Sequence, residues 1–269
     1  MIDKNLNQAF LNSSSSECLI LIDIGNTSTR LGYSEGDCIL WTVDIPTQPI
    51  ETLHERYLKE NIFGDVAEKI SGGVIATVVP DSEKKISSIL TNSGIPLLHV
   101  NHKITGGVKL GVKNPAALGA DRIANAAAVV RYYKKSAIVA DLGTANTFDV
   151  VNANGLFLGG LIAPGGGAIS DALSSRAAKL DKVDLIFPEK IIGDDTESAL
   201  KSGLYFSVKG QIDEIFAAIL SELKENHLKI ITGGVSEIFR REFPGDYVFD
   251  RNLTLKGLIA IWMYKTESS

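Results

Sequence analysis

GADRIANAAAVVRYYKKSAIVADLGTANTFDVV, residues 119–151, is the stretch that decides the fold. It opens with an Asp-Arg pair at 121–122 and reaches a basic pair at 134–135. Between these pairs apolar residues recur at helical spacing, as at Ile123, Ala127 and Val130. This pattern predicts a helix. The apolar run at 137–140 predicts a buried strand, and DLGTANT at 141–147 predicts a phosphate-binding turn after it.

An earlier segment repeats the second part of this order. An apolar run at 19–22 is followed by DIGNTSTR at 23–30, which again combines an acid, a glycine, an amide and hydroxyls. Asp23 and Asp141 are 118 positions apart, which indicates a duplicated half rather than a short solenoid repeat. Glycine lets backbone N–H groups approach a phosphate, so this segment also predicts a phosphate turn. Taken alone, it is explained equally well as a plain hairpin turn.

The bulk composition fits a globular protein. The 269 residues are 45% hydrophobic, and the formal charge of -5 gives no broad basic surface for nucleic acid or an anionic membrane. Cys18 and Cys38 are too few for a disulfide framework and predict reduced thiols in the cytoplasm. Residues 1–17 are polar, lack the apolar core of a secretory signal and predict a loosely ordered extension. No run approaches the roughly 18 apolar residues that span a bilayer.

Elsewhere strands alternate with helices, which predicts an α/β architecture. Further strands are predicted at 30–33, 38–42, 73–79, 96–100, 148–151, 156–162 and 228–231, and helices at 52–61, 82–93, 168–180, 197–209, 211–226 and 253–264. Ser82 and Thr196 are the predicted N-caps of two of these helices. Residues 104–114 contain three glycines and are predicted to be irregular, leading the chain to the helix that begins near Asp121.

Three polar turns at strand ends indicate a phosphoryl-transfer site. The third is Thr232-Gly233-Gly234, and α/β sheets bind ligands at the carboxyl ends of their strands. The glycine run 165–167 precedes a helix whose N-terminal amides suit an anion or a polar substrate. Phosphoryl transfer needs N–H groups and hydroxyls for the phosphates, carboxylates for cations and one group to receive a proton. No Walker A sequence is present, which argues against the P-loop class.

These motifs together resemble the actin, sugar kinase and Hsp70 ATPase superfamily and, within it, the type III pantothenate kinases. The matching segments are DIGNTSTRLG at 23–32, NPAALGADRIANA at 114–126, DLGTANTFDVV at 141–151, GGLIAPG at 159–165, TESALKSGLY at 196–205 and ITGG at 231–234. The resemblance implies two duplicated ribonuclease H-like domains, each a mixed sheet flanked by helices, with a nucleotide in the cleft between them. After the extension 1–17, the halves are expected at 18–117 and 118–269, with the final helix packing back.

The resemblance also assigns roles to residues. It implies ATP binding by Asp23, Ile24, Gly25, Asn26, Thr27, Ser28, Thr29, Arg30, Thr144, Gly233 and Gly234. It implies substrate binding by Gly119, Ala120, Asp121, Arg122, Thr196 and Val112. Within these sets Asp121 is the expected proton acceptor, and Arg122 is expected to clamp the substrate or a phosphate. Val112 stands where the family often carries a substrate-contacting Tyr.

The activity that the resemblance implies is ATP-dependent phosphorylation of pantothenate to 4'-phosphopantothenate, the first step of coenzyme A biosynthesis. The expected cofactors are Mg²⁺, held by Asp23 through water, and a monovalent cation, K⁺ or NH₄⁺, held by Asp141. Members of the family are typically homodimers in which the partner chain completes the substrate pocket. Two alternatives stay open: a kinase-like regulatory or binding protein, and a kinase of another small hydroxylated acceptor. The kinase interpretation requires residues 23 and 141 to converge on one triphosphate, with residue 121 beside its terminal group.

Overall fold

The computed structural model describes residues 17–47, 70–177, 179–243 and 245–267. The predicted helix at 52–61 and nearly all of the predicted extension at 1–17 lie outside these residues. The chain forms two compact units. The first contains the described residues up to His99 except 76–78, and the second contains those three residues and the described residues from Val100 onward.

The first unit is built on a five-stranded sheet. Its strands are β1 (Cys18–Ile24), β2 (Ser28–Glu35), β3 (Cys38–Pro46), β4 (Ile70–Thr77) and β5 (Leu97–His99). Their order across the sheet is β3-β2-β1-β4-β5, with β1, β2 and β3 antiparallel and β5 parallel to β4. A hairpin turn connects β2 and β3, and Gly36 occupies it at φ 55°, which favours glycine.

Among the described residues of the first unit one α-helix, α1 (Pro80–Asn92), follows β4. It begins two residues earlier than predicted, because Pro80 has the fixed φ that suits the first helical position and needs no N–H partner there. The prediction that Ser82 is the N-cap is therefore wrong. Val79 holds that position, and Ser82 is buried in the first turn. Ile86 and Leu90 of α1 pack on Ile20 and Ile22 of β1, which places the core of this unit between helix and sheet.

The second unit is built on a six-stranded sheet. Its strands are β6 (Lys109–Leu110), β7 (Ala137–Leu142), β8 (Ala145–Val151), β9 (Leu156–Pro164), β10 (Leu228–Thr232) and β11 (Tyr247–Phe249). The order is β11-β10-β7-β8-β9-β6. Taken in the opposite direction and without β6, this order is β9-β8-β7-β10-β11, which matches the order β3-β2-β1-β4-β5 of the first unit. In both units the first three strands of that order are antiparallel. The predicted α/β fold of two duplicated halves with mixed sheets is confirmed.

The described residues of the second unit form four α-helices. They are α2 (Ala120–Ala128), α3 (Gly166–Arg176), α4 (Thr196–Leu223) and α5 (Leu253–Glu267). A π-helical turn, Val129–Tyr133, extends α2, and short 3-10 turns lie at Pro115–Ala117 and Ser236–Phe239. The helices predicted at 197–209 and 211–226 form one continuous helix, α4, because Gly210 costs only about 1 kcal/mol in a helix interior and buried Val208 and Ile212 anchor both sides of it.

The N-terminus of α4 differs from the prediction in its cap. Asp195, not Thr196, is the N-cap: its carboxylate accepts from the backbone N–H of Ser198 at 2.7 Å. The Ser198 hydroxyl in turn accepts from the backbone N–H of Asp195 at 3.2 Å, which completes a capping box. An Asp directly before Thr takes this position because its charged oxygen is the stronger acceptor for helix N–H groups. The side chain of Thr196 is thereby exposed and available for other contacts.

The two faces of the second sheet are used differently. Ile138, Ala140 and Phe148 face the buried stripe of α4, which includes Val208, Ile212 and Phe216. Side chains alternate along a strand, so Val139 and Asp141 of β7 lie on the opposite face. Helix α2 packs on that face, and α5 packs closely on α2: a Cβ at Gly257 would collide with the carbonyl of Ala124. The opposite face is therefore the one that carries polar groups under α2.

Residues 100–117, which the sequence prediction placed in the first half, belong to the second unit. The segment 104–114, predicted to be irregular, contains β6, which pairs with β9 in parallel. Gly106 lies against Ile261 of α5 at φ 64°, and Gly107 lies against the ring of Tyr264 at φ 84°. The glycines thus allow this segment to pack tightly on α5 before the chain enters α2.

Candidate active site

The N-terminus of α2 presents two charged residues, Asp121 and Arg122. The helix begins after Gly119, and its first turn orients the Asp121 carboxylate back over the backbone, where Oδ1 accepts from the N–H of Arg122 at 2.8 Å. A Cβ on Gly119 would collide with the same Oδ1. Glycine at 119 therefore makes room for the carboxylate of the predicted proton acceptor.

The Arg122 guanidinium is bound edge-on by Asp149 of β8. Arg122 Nε donates to Asp149 Oδ1 at 2.8 Å and to Oδ2 at 3.1 Å, and Nη2 also donates to Oδ1. The Asp149 side chain is only 1% exposed and that of Arg122 only 15%. The Phe157 ring lies 5.5 Å from the guanidinium carbon, within cation–π range. Asp149 thus holds a nearly buried arginine in one orientation.

One helical turn beyond Arg122, Asn125 binds a second carboxylate. Its Nδ2 donates to Asp141 Oδ2 at 2.9 Å, and its Oδ1 accepts from the Thr254 hydroxyl of α5 at 2.9 Å. Asn125 is fully buried. Gly233, at φ 97°, lies on the other side of Asp141, where an added Cβ would be 2.6 Å from Oδ1. Asp141 is therefore enclosed by an oriented amide and by a backbone position that only glycine fits.

Strand register explains why the two carboxylates share one face. Asp141 pairs with Thr147 and Val139 pairs with Asp149 across the β7–β8 hairpin, so Asp141 and Asp149 point to the same side of the sheet. Arg122 and Asn125 are three residues apart and lie on one face of α2. A helix of this sequence over that hairpin therefore brings Asp121, Arg122, Asp149 and Asp141 into one polar cluster, which we call the α2 cluster.

Burial and mutual repulsion govern the protonation of the α2 cluster. Burial raises the pKa of Asp121, although its bonds to the Arg122 backbone and the Arg122 charge oppose the rise. Burial raises the pKa of Asp149 to about 7, with Arg122 opposing and the charges of Asp121 and Asp141 contributing to the rise. A carboxylate with a raised pKa is suited to accept a proton, and neighbouring negative charge is suited to a cation.

The predicted phosphate turn of the first unit is well defined. Gly25 N–H donates to the Ser28 carbonyl at 3.0 Å, and the Thr47 hydroxyl donates to the Gly25 carbonyl at 2.7 Å. Asn26, Thr27 and Ser28 are exposed at its tip, and Asp23 is partly exposed before it. Hydrogen bonds within the turn and from Thr47 thus hold its backbone, and the polar groups at its tip face solvent.

The side chains of three predicted ATP-binding residues of this turn contact other residues of the first unit. The Ile24 side chain lies in the core. Thr29 is buried, and its hydroxyl is 3.0 Å from that of Thr47. Arg30 Nη2 donates weakly to the Thr42 hydroxyl at 3.5 Å, and Nε lies 3.6 Å from Asp44. Ile24 and Thr29 therefore offer a ligand their backbone groups rather than their side chains.

The remaining predicted residues occupy different parts of the second unit. Thr144 and Gly234 are exposed in the turns after β7 and β10, and Ala120 is buried at the start of α2. Val112 is partly buried just after β6. Thr196 lines an apolar groove of about 450 Å³ between α3 and α4, together with Ile169, Leu173, Leu180 and Leu200. Of the predicted substrate residues, the structure brings Asp121 and Arg122 together with Asp141 and Gly233, while Thr196 belongs to this separate groove.

Sequence reasoning missed Asp149, Asn125, Gly160 and Thr254. The signal for Asp149 was present in TFDVV, where a single acid interrupts an apolar strand at a position that shares the face of Asp141. Asn125 stands alone in an alanine-rich helix that is otherwise apolar at this level. A buried polar group needs a partner, so each of these residues indicated a specific contact. The partners themselves become visible only in three dimensions.

Comparison with known proteins identifies the family of this chain. The profile of the type III pantothenate kinases matches residues 19–218. The chain belongs to the type III pantothenate kinase family. Relatives named type III pantothenate kinase from Parafrankia sp. and Syntrophus aciditrophicus are each 37% identical to it, over 93% of this chain and 99% and 100% of their own. This family member is thus a kinase, and the resemblance seen in the sequence is confirmed.

Solved structures share the fold of this pantothenate kinase family member at low identity. A Campylobacter jejuni protein described as a Baf family transcriptional activator is 17% identical with a TM-score of 0.57, over 92% of this chain and 99% of its own. Ethanolamine utilization protein EutJ from Carboxydothermus hydrogenoformans is 14% identical with a TM-score of 0.56, over 94% and 93%. Such likeness establishes the fold alone. In the described part of the kinase, no helix has the length and apolarity that crossing a bilayer requires.

Proposed function

We propose that this kinase transfers the γ-phosphoryl group of ATP to the primary hydroxyl of pantothenate, giving 4'-phosphopantothenate and ADP, the first step of coenzyme A biosynthesis. The observation that carries the proposal is the α2 cluster, in which a carboxylate with a raised pKa stands beside an oriented arginine and a second acid. Family membership supplies the substrates, ATP and pantothenate.

In the proposed step the pantothenate hydroxyl oxygen forms a bond to the γ-phosphorus while the bond from that phosphorus to the bridging oxygen of ADP breaks. Asp121 accepts the hydroxyl proton. The raised pKa of Asp121 supports this role, because a carboxylate of higher pKa is a stronger base. Arg122 binds an anionic oxygen of the substrates and stabilises the transition state, since phosphoryl transfer depends mainly on positioning and charge neutralisation.

We assign ATP binding to the turn from Asp23 to Arg30, to Thr144, and to Gly233 and Gly234. The exposed tip of the first turn supports this assignment, because backbone N–H groups and hydroxyls suit phosphate oxygens. Mg²⁺ supplies charge neutralisation on the phosphates when it is bound, and Asp23 would hold it through water. Among the described residues no group of three His, Cys, Asp or Glu side chains could hold a metal by itself. That is compatible with Mg²⁺, which commonly uses one or two carboxylates with phosphates and waters.

We further propose that Asp141 holds a monovalent cation, K⁺ or NH₄⁺. Asp141 accepts from Asn125, and the carboxylates of Asp141 and Asp121 both raise the pKa of Asp149, so negative charge is concentrated here. A cation beside Asp141 would offset that charge. The proposal includes a cytoplasmic location, in agreement with Cys18 and Cys38, which form no disulfide among the described residues.

The proposed assembly is a homodimer in which Thr196 contacts the substrate bound to the partner chain. Thr196 lines the apolar groove between α3 and α4, and no residue of the α2 cluster lines that groove. Exposed apolar side chains continue along the segment before α4, including Phe187, Ile191 and Ile192, which is 84% exposed. Apolar surface of this kind is typical of a protein interface.

A regulatory protein with a kinase-like fold is the second candidate function. The observation in its favour is the structural likeness to the Campylobacter jejuni protein described as a transcriptional activator. That likeness concerns the fold at 17% identity, whereas the family relatives are 37% identical and are named as kinases. A binding protein would also have no chemical need for a carboxylate of raised pKa beside an oriented arginine.

The test is an assay of the purified chain with ATP, Mg²⁺ and pantothenate, in K⁺, NH₄⁺ or Na⁺ buffer. The product, 4'-phosphopantothenate, is measured by mass spectrometry alongside ADP. Wild-type protein is expected to form both in equal amounts. ADP formation that requires a different hydroxylated acceptor would redirect the substrate assignment. No transfer in any of the three cation buffers would support the regulatory candidate.

A further inference from the structure

The contacts of Arg122 leave only part of its guanidinium for a ligand. Asp149 occupies the edge formed by Nε and one Nη2–H. An arginine has N–H donors on both terminal nitrogens, so the Nη1 group and the second Nη2–H remain. Within the described ranges no other acceptor bonds this guanidinium. The edge still available therefore points away from Asp149 and consists of the two terminal nitrogens.

Packing prevents the guanidinium from rotating to offer a different edge. Gly160 of β9 pairs with Asp149 across the sheet. A Cβ at Gly160 would collide with the Phe148 carbonyl oxygen and would be 2.6 Å from Asp149 Oδ1 and 2.9 Å from Arg122 Nη2. The Phe157 ring lies 5.5 Å from the guanidinium carbon. Asp149 is 1% exposed, so water does not compete for its oxygens. The absence of a side chain at 160 is thus a condition for this pairing.

The role of Asp149 follows from the charges. Its negative charge offsets that of Arg122, so Asp149 weakens rather than strengthens the long-range attraction of Arg122 for an anion. A bidentate carboxylate instead fixes the plane and edge of a guanidinium. Preorganised donors bind a developing charge without a cost of reorientation at the moment of reaction. The contribution of Asp149 to an arginine-bound anion is therefore orientation.

We propose that Asp149, with Gly160, is the positioning residue that presents the terminal nitrogens of Arg122 to an anionic oxygen of the substrates. This proposal rests on the proposed function and names the residues that make its arginine effective. The anionic oxygen belongs to the pantothenate carboxylate or to the phosphoryl group in transfer, both of which suit a guanidinium. The two sources predict different kinetics.

The first variants are Asp149→Asn and Gly160→Ala. Asp149→Asn keeps the shape of the side chain but loses one charged acceptor. Gly160→Ala keeps both members of the pair but places a methyl group against both of them and against the Phe148 carbonyl oxygen. The matched controls are Asp81→Asn, at a side chain 90% exposed on α1, and Gly210→Ala, where a Cβ meets nothing within 4 Å. The readouts are kcat, KM for pantothenate, KM for ATP and the melting temperature.

Both variants are expected to reduce kcat/KM for pantothenate about tenfold or more, since a hydrogen bond to a charged group is worth about 1.5–3 kcal/mol. KM for ATP should stay within about twofold of wild type. If the pantothenate carboxylate is the ligand, the loss is in KM and disappears with pantothenyl alcohol, which has no carboxylate. If the transferring phosphoryl group is the ligand, the loss is in kcat and persists with the alcohol. Either result supports the proposal that Asp149 positions the guanidinium of Arg122.

The proposal is overturned if both folded variants keep kcat and both KM values within about twofold of wild type. It is also overturned if activity falls only in proportion to the folded fraction found by thermal denaturation, which would make the pair purely structural. Gly160→Ala also brings a Cβ against the Phe148 carbonyl oxygen, so Asp149→Glu, which keeps the charge but lengthens the side chain, decides if either variant does not fold. Failure of the proposed function is a separate result, because it appears as absence of pantothenate phosphorylation by the wild-type chain.

Discussion

Asn125 and Asp141 are joined by a 2.9 Å hydrogen bond from the amide nitrogen to the carboxylate, which links α2 to the end of β7. The amide can donate in this direction only because its oxygen accepts from Thr254 of α5. A chain of contacts therefore runs from the last helix, through α2, to the turn that follows β7. It accounts for the tight packing of α5 on α2, for which Gly257 provides space.

Thr254→Val is expected to weaken the proposed binding of a monovalent cation by Asp141, although Thr254 acts on Asp141 only through Asn125. The substitution keeps the shape of the side chain but leaves the buried Asn125 oxygen without its donor, at a cost of about 1–3 kcal/mol. Urea denaturation should show this loss. The activity of the folded variant should also depend more steeply on K⁺ concentration, because the Asn125 amide is then free to turn its oxygen toward Asp141. Thr266→Val on an exposed turn of the same helix is the control. An unchanged K⁺ dependence would contradict the coupling.

Asp121→Asn is expected to lower kcat by about 10²- to 10⁴-fold, the range typical for loss of a general base. The amide is isosteric, so the first turn of α2 should persist and KM for ATP should change little. The measurement is steady-state kinetics with both substrates, and Asp81→Asn on α1 is the control at an exposed acid. A variant that keeps wild-type kcat would remove Asp121 as the proton acceptor.

The pKa of Asp149 predicts a dependence of stability on pH. Its folded value of about 7 lies above the ordinary 3.8, so the folded state binds this proton more tightly than the unfolded chain. The stability that this proton contributes is fully present below about pH 4 and is lost as pH rises toward 7. The free energy of unfolding of wild type minus that of Asp149→Asn should therefore fall by about 1–4 kcal/mol between pH 4 and 8. A flat or rising difference would show that the pKa of Asp149 is not raised.

The sequence predicted the parts of the fold that depend on local pattern. Apolar runs that end at Asp23 and Asp141 located β1 and β7, and their repetition predicted the duplication that the sheet order confirms. Helix boundaries were less accurate because competing caps stand side by side. At 195–196 either residue suits an N-cap, and Asp195 holds the position because its charged oxygen is the stronger acceptor. The assignment of 100–117 depended on packing against α5, which no local pattern carries.

Three charged residues of the α2 cluster were singled out from the sequence, and the residues that orient them were missed. Asp121, Arg122 and Asp141 stand in motifs with recognisable chemistry. Asp149 and Asn125 act through contacts that require α2 to lie over the β7–β8 hairpin in one register. Strand alternation would have placed Asp149 on the face of Asp141, but the helix that covers this face could not be chosen from sequence alone. Long-range pairing, rather than residue type, was the missing information.

Gly233→Ala is expected to be strongly destabilising, whereas Gly234→Ala is not. Gly233 has φ 97°, and a Cβ there would be 2.5 Å from the Leu142 nitrogen and 2.6 Å from Asp141 Oδ1. Strain of this kind costs about 1–3 kcal/mol, and the collision adds to it. A Cβ at Gly234 meets nothing within 4 Å. Thermal denaturation of the two variants compares neighbouring glycines in one turn, and equal melting temperatures would contradict the tight approach of β10 to Asp141.

Leu173→Glu is expected to separate the proposed dimer, because it places a charge in the apolar groove between α3 and α4. Leu173 is 43% exposed in the isolated chain, so the substitution should leave the fold intact. Sedimentation should show a monomer. KM for pantothenate should rise more than KM for ATP, since Thr196 would no longer reach the substrate of the partner chain. Ser175→Glu is the control, because it adds the same charge to an exposed position two residues along α3. A Leu173→Glu dimer with normal kinetics would exclude the groove as the interface, and a fully active monomer would show that Thr196 acts within its own chain or not at all.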